Sequence, residues 1–343
     1  MTLCYQAIRW RRKIWGEIPP TSVDLDRVRT LLAECEEIHK NPQYVKWSKL
    51  PMAKLAQELS FPTWMIEQWV HDQGLEPAVN LALALNQPAD TYLRANTLKT
   101  DRDQLQKILQ AEGVETKPTL YSPWGLHLLQ RFNLHATKAF SQGLFEIQDE
   151  GSQLTALMSD VQPNSLVIDA CARTGGKSLA LASLMENRGT LVACDIDARV
   201  FDELHKRAAR AGVTIAQTQW VGKDDPNPLA KYKDKADLVF VDAPCSGLGT
   251  LRRKSWTKWT LNEGILKEMH EVQVDVISKY SQYVKPGGEL IYVTCSINSW
   301  ENEKVVKRFL DKFNVQFTVE ATKTFRPDVE GTDGFFVTKF KRS

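Results

Sequence analysis

Two cysteines stand where apolar runs end. Cys245 follows Val241-Asp242-Ala243-Pro244, and Cys295 follows Val293-Thr294. Each run reads as a buried strand that delivers its thiol to a strand end, and the first delivers Asp242 with it. A thiolate is a strong nucleophile even when little of the thiol is ionised. Packing is the competing reading, but it does not require two thiols at adjacent strand ends of one sheet. Beyond Cys245 runs Ser246-Gly247-Leu248-Gly249-Thr250-Leu251-Arg252-Arg253, a glycine-containing loop closed by two arginines. The other cysteines, Cys4, Cys35, Cys171 and Cys194, form no CxxC pair, and no histidine lies at ligand spacing from any of the six. No metal is expected, and scattered cysteines of this kind are free thiols in an intracellular protein.

A second set of residues fits a nucleoside cofactor. A short apolar strand ends at Asp169, and Cys171-Ala172-Arg173-Thr174-Gly175-Gly176-Lys177 leads into a helix. The glycines let backbone approach a ligand, and the helix start offers free N–H groups. Upstream glycine spacing excludes a P-loop. Asp195, about twenty residues on, ends the next strand, where an acid accepts hydrogen bonds from ribose hydroxyls. A solvent-exposed strand-end carboxylate is an equal reading of Asp195 on this evidence alone. Dinucleotide and S-adenosylmethionine both remain open from spacing alone.

The elements that must hold these residues fall into three stretches: 1–88, 89–147 and 148–343. The first reads as short helices, among them an amphipathic one over Asp24 to His39 capped by Ser22 or Asp24, interrupted by Pro42, Pro51 and Pro62. The second alternates strand, helix and strands around Tyr92 to Leu98, Asp101 to Glu112, Gly125 to Leu129 and Leu144 to Ile147, a small α+β module. The third alternates apolar strands (Ser165 to Asp169, Thr190 to Asp195, Asp237 to Asp242, Glu289 to Thr294) with helices (Lys177 to Met185, Ala198 to Ala211). That pattern predicts a doubly wound α/β domain with a parallel sheet. The 343 residues carry a net charge of +2, 43% hydrophobic and 25% charged, with no apolar run near the roughly 18 residues of a membrane span. The basic, aromatic start from Met1 to Gly16 lacks an apolar signal core, so a cytoplasmic protein is expected. Basic clusters occur at Arg9 to Lys13, at Lys206-Arg207 with Arg210, and at Arg252 to Lys254.

Taken together, these motifs resemble the RNA cytosine-5 methyltransferases of the RsmB/Sun group over roughly residues 60 to 343. The resemblance rests on Phe145 to Gln153, the Cys171 to Lys177 loop, Asp195, Asp242-Ala243-Pro244-Cys245-Ser246-Gly247 and Thr294-Cys295-Ser296. It extends to Arg94-Ala95-Asn96-Thr97-Leu98-Lys99 and Gly331-Thr332-Asp333-Gly334-Phe335-Phe336. It implies a Rossmann-like methyltransferase domain preceded by a small RNA-binding module, with S-adenosylmethionine as cofactor. Cys171, Ala172, Arg173, Thr174, Gly175, Gly176, Lys177, Asp195, Asp224 and Asp242 are the cofactor-binding candidates. By the family pattern Cys295 attacks carbon 6 of cytosine, Asp242 hydrogen-bonds the base near nitrogen 3, and Cys245 serves the release step. A stacked base must be turned outward to be reached. Arg252, Arg253 and Lys258, interleaved with Trp256 and Trp259, suit the flanking RNA, although packing is an equal reading of Trp259. The implied partner is RNA, ribosomal ahead of transfer, met by a monomer with neither membrane nor metal.

The chain departs from the family pattern in places. Arg173-Thr174 replaces the usual Ala-Pro of the cofactor loop, which should free the loop and add charge beside the cofactor. Val221 stands where an acid contacts adenine, leaving Asp224 as substitute, and Arg252-Arg253-Lys254-Ser255 replaces Arg-Arg-His-Pro. The first sixty residues are shorter than the helical RNA-binding domain of many bacterial members, so a reduced version is expected. Two alternatives follow: a degenerate member that binds RNA as an assembly factor without methylating, and a nicotinamide-dependent oxidoreductase, which leaves both thiols unexplained.

Overall fold

The computed structural model describes residues 3–16, 25–222 and 228–343. The proposed caps Ser22 and Asp24 lie outside the described residues, and so does Asp224. Short helices come first, among them Leu25–Lys40, Met52–Leu59, Thr63–Gln73 and Leu75–Leu85. The apolar faces of the last three share a core with Leu248, Leu251 and Leu266 from the far end of the chain. The helical region therefore packs directly on the loop that follows Cys245.

A four-stranded sheet comes next, from β1 (Tyr92–Ala95), β2 (Thr116–Pro118), β3 (Gly125–Leu128) and β4 (Phe145–Ile147), in the order β2-β3-β1-β4 with antiparallel pairing. The helix Arg102–Ala111 covers it, started by Asp101, whose side chain accepts from the Gln104 amide at 2.8 Å, and buried through Leu105 and Leu109. The expected α+β module is present, with β2 an edge strand too short and polar to stand out in the sequence.

The remaining strands are β5 (Leu166–Asp169), β6 (Thr190–Asp195), β7 (Ala216–Trp220), β8 (Ala236–Asp242), β9 (Val284–Thr294), β10 (Phe317–Phe325) and β11 (Phe335–Arg342). They form one sheet in the order β10-β11-β9-β8-β5-β6-β7. β5 to β9 pair in parallel, as the strand–helix alternation predicts, while β11 runs antiparallel between β9 and β10. Alternate residues feed two cores. Val167, Leu191, Leu238, Phe240, Ile291 and Val293 face one layer of helices. Ile168, Val192, Val239, Val241, Leu290 and Tyr292 face the other.

The chain winds outward from β5 to β7, then returns to place β8 on the other side of β5. The switch point thus lies between β5 and β8, whose carboxyl ends are Asp169 and Asp242. Ligands of such sheets bind in that crevice.

Candidate active site

β8 and β9 are neighbours, so their carboxyl ends present Cys245 and Cys295 side by side. The two sulfurs are 3.0 Å apart, a thiol–thiol contact with both cysteines unbonded. The loops carrying them are tied backbone to backbone, the Gly249 amide donating to the Cys295 carbonyl at 2.9 Å and the Ala243 amide to the Val293 carbonyl at 2.8 Å. Gly249 has no room for a side chain, because a Cβ there would stand 2.0 Å from the Gly334 carbonyl oxygen. The contact with Cys295, burial and the Glu301 charge push the Cys245 thiol well above its ordinary value.

Beside the thiols, Lys177 Nζ donates to Asp242 Oδ2 at 2.6 Å. Burial pulls the Lys177 ammonium down, and the Asp242 carboxylate more than offsets it, with Cys295 and Asp169 adding in the same direction. Lys177 therefore stays a cation at the crevice floor. The sequence placed it only in the cofactor loop and carried no sign of this pairing.

The cofactor loop is held firmly. Arg173 adopts the left-handed region (φ 48°) and its amide donates to Asp195 Oδ2 at 2.8 Å, while the Asp197 amide donates to Oδ1 at 2.9 Å. Arg207 Nη1 donates to the carbonyl and hydroxyl of Thr174 at 2.8 and 2.9 Å. Gly175 (φ 85°) presses its backbone on Leu204, where a Cβ would meet Cγ at 2.9 Å. This corrects the expectation of a freer loop: Arg207 does the work of the missing proline. Arg173 itself points its side chain to solvent.

Asp169, at the end of β5, accepts from the Ser178 hydroxyl at 2.6 Å, yet its Oδ1 is buried without a hydrogen-bond partner of good geometry. Burial pushes this carboxyl up to about 7. Val221 is buried in the core and bonds only through backbone, its amide donating to the Asp195 carbonyl at 3.0 Å.

Residues 156–341 match the family described as 16S rRNA methyltransferase RsmB/F, and residues 61–135 match the ferredoxin-like domain of the same proteins. A probable ribosomal RNA small subunit methyltransferase B of Bacillus subtilis is 31% identical over 85% of this chain and 68% of its own length. The chain belongs to the RsmB/F methyltransferase family. A 28S rRNA (cytosine-C(5))-methyltransferase of Mus musculus is 28% identical over 92% of the chain, which spans 42% of that longer protein. A solved methyltransferase homolog protein from Pyrococcus horikoshii superposes with a TM-score of 0.75 at 27% identity, covering 85% of this chain and 99% of that one.

Proteins of the RsmB/F family use S-adenosylmethionine, and the crevice fits it. Asp169 at the end of β5 is a buried acceptor beside the loop, and the fixed Asp195 carboxylate retains lone pairs for ribose hydroxyls. Cys171 to Lys177 wrap the same space.

The basic residues expected to hold RNA mostly face inward. Lys258 is 1% exposed, its Nζ donating to the Arg9 carbonyl at 2.6 Å and to Asn86 Oδ1 at 2.9 Å, 4.0 Å from the centre of the Phe61 ring. Burial and the neighbouring Arg9 charge push its ammonium well below the ordinary lysine value. Arg252 Nη1 donates to the Gly331 carbonyl at 2.6 Å, and Nη2 to that of Pro88 at 3.1 Å. This corrects the reading of Arg252 and Lys258 as RNA contacts, because both are buried and turn their donors inward, Lys258 to a carbonyl and an amide oxygen, Arg252 to backbone carbonyls and the Asp90 carboxylate. Arg253 keeps a third of its side-chain surface and pairs with Asp149 and Asp333. Trp259 donates through Nε1 to the Ile8 carbonyl at 3.0 Å. Only Lys254 and Trp256 of the run from Arg252 to Trp259 that read as an RNA surface stand exposed.

The motif Arg94 to Lys99 proves to be a domain tie. Arg94 donates to the Gly176 carbonyl at 2.9 Å and to Gln148. Asn96 and Lys99 donate to the carbonyls of Ala211 (2.8 Å) and Arg210 (2.7 Å), the free C-terminal acceptors of helix Val200–Ala211.

Proposed function

We propose that this chain methylates carbon 5 of cytosine in ribosomal RNA through a covalent adduct on Cys295, with Cys245 needed for release. The observation that carries this is the 3.0 Å thiol pair beside the Lys177–Asp242 ion pair at the crevice of a methyltransferase sheet. Carbon 5 is a poor nucleophile until a group adds at carbon 6. A bond forms between Cys295 Sγ and carbon 6, and the thiol's proton is taken up at nitrogen 3. Asp242 keeps one carboxylate oxygen for that N–H while Lys177 occupies the other. S-adenosylmethionine, when bound, supplies a methyl group on a sulfonium. Cys245, its own proton released to solvent, takes the carbon 5 proton as thiolate; the Cys295–carbon 6 bond breaks with its electron pair returning to sulfur, and the nitrogen 3 proton passes to that sulfur, restoring the Cys295 thiol. A thiol pushed up by its surroundings is a stronger base once ionised, which suits Cys245 to this step.

The substrate class rests on the relatives, whose names place them on small- or large-subunit ribosomal RNA. Retention of both thiols with Lys177, Asp195 and Asp242 in one crevice favours an active enzyme over a binding protein. The test is Cys245→Ala with ribosomal RNA fragments and S-adenosylmethionine. An RNA–protein species that survives denaturing gels is expected, whereas Cys295→Ala gives neither adduct nor product. Methylation by Cys295→Ala would overturn the assignment.

A further inference from the structure

The turn after β9 carries a carboxylate that no step above uses. Glu301 is fully buried. Its Oε1 accepts from the Ser246 amide at 2.7 Å and from Gln273 Nε2 at 3.1 Å. Its Oε2 accepts from the hydroxyls of Ser246 and Ser296, each at 2.5 Å. Ser246 follows Cys245, and Ser296 follows Cys295. One carboxylate therefore grips the residue after each thiol. No cation pairs with it among the described residues, so its charge is held by hydrogen-bond donors alone, and it is felt at Cys245.

A buried charge without a counter-ion is strongly destabilising unless well donated to, and apolar packing of the same shape would hold two loops at lower cost. The surrounding donors are arranged to keep it. Gln273 Nε2 also donates to the Pro244 carbonyl at 2.8 Å, so the same amide braces the Cys245 loop from helix Glu263–Ser281. Asn302 donates to the Ser296 carbonyl at 3.0 Å and accepts from the Thr294 hydroxyl at 2.6 Å, bracing the Cys295 loop. Tyr292 donates to the Glu301 carbonyl at 2.7 Å.

We propose that Glu301 is a positioning residue that clamps the two cysteine loops together and gives the thiols unlike electrostatic partners, an anion behind Cys245 and the Lys177 cation near Cys295. The groups facing Cys245 are Cys295 just beyond β9, Glu301 from the following turn and Tyr292 of β9; those near Cys295 include Lys177 with Asp242. The anion disfavours ionisation of Cys245, whose thiolate is a correspondingly stronger base, while Cys295 lies beside a cation. Two chemically identical side chains in contact are thereby set apart for the roles of base and nucleophile. This inference rests on the proposed reaction only for those roles.

The test is the pH profile of thiol alkylation by iodoacetamide in the intact chain, read at each cysteine by mass spectrometry. It requires neither RNA nor cofactor, so its failure is distinct from failure of the methylation reading. In the parent chain the Cys245 midpoint should lie above the ordinary thiol value. In Glu301→Gln, which keeps the shape and loses the charge, the Cys245 midpoint should fall by about 1 pH unit, the size of one nearby like charge. Glu301→Asp keeps the charge but is too short to reach both serines, so the Cys245 midpoint should stay high while turnover on RNA drops. Should Glu301→Gln fail to fold by circular dichroism, Ser296→Ala removes one donor and should slow turnover with both midpoints retained. An unchanged Cys245 profile in folded Glu301→Gln, or a Cys245 midpoint at or below the ordinary thiol value in the parent chain, would overturn the proposal.

Discussion

Lys177 and Asp242 come from different motifs, sixty-five positions apart, and meet at 2.6 Å with 11% and 24% of their side-chain surfaces exposed. Removing one partner leaves the other charge in a poorly solvated place. Lys177→Met should lower the unfolding free energy by roughly 2 kcal/mol, less than for a fully buried pair because Asp242 keeps some water. Urea titration measures this, and Lys177→Met with Asp242→Asn should recover part of the loss because the pair is coupled. Asp169 makes a second residue-level case. Its carboxyl titrates near 7 when folded, above the usual carboxylate value, so the folded state binds the proton more tightly. The stability this confers is present at low pH and lost as pH rises through about 7. Thermal melts of the cofactor-free protein should fall between about pH 4 and 7 and level off above, and Asp169→Asn should flatten that slope. An unchanged slope would assign the titration to the Asp149–Arg253–Asp333 cluster, where burial and the Asp333 charge push Asp149 up to about 6.

At the scale of elements, the cofactor loop owes its shape to a helix and to the module before it. Arg207, on helix Val200–Ala211, holds Thr174 and also pairs with Glu146 of β4 at 2.8 Å. Arg210 pairs with Glu146 at 2.6 Å and does not touch the loop. Calorimetry should show Arg207→Ala weakening S-adenosylmethionine binding about tenfold, the loss of one charge-assisted hydrogen-bonded anchor. Arg210→Ala serves as comparison and should leave binding within about threefold, so equal losses would show that the tie acts only through Glu146. The strands that hold the site were legible because β5, β6, β8 and β9 are apolar on both faces and end in acids or thiols. β2 and β7 were not singled out as strands: one is three residues on a polar edge, the other a half-exposed edge whose period competes with loop composition. The antiparallel β10 and β11 also lacked the alternation with helices that marks a parallel sheet.

Over the whole molecule, the basic clusters are mortar between parts. Arg9 donates to the carbonyls of Asn86 and Arg252, both at 2.8 Å, Arg12 to that of Phe61 at 2.6 Å, and Lys258 back to Arg9. The helical region and the catalytic domain are thus tied by arginines and a lysine whose donors meet backbone carbonyls and, for Lys258, the Asn86 amide oxygen. Lys258→Met should change the melting temperature and leave the salt dependence of RNA binding unaltered. Lys254→Ala, on the exposed stretch beside Trp256, should reduce the slope of log affinity against log salt by about 1. Filter binding across a salt series separates the two, and a reduced slope in Lys258→Met would restore its reading as an RNA contact.

The sequence by itself determined the doubly wound domain, the place of the cofactor loop and the two thiols, because strand periodicity and strand-end residues are local properties. Glu301, the Lys177–Asp242 pair and the inward turn of Arg252 and Lys258 were decided by the tertiary structure. Each depends on which donor stands within 3 Å of which acceptor across 55 to 249 positions of chain. A charged side chain looks the same in sequence whether it meets water or a buried carbonyl, and only packing settles which.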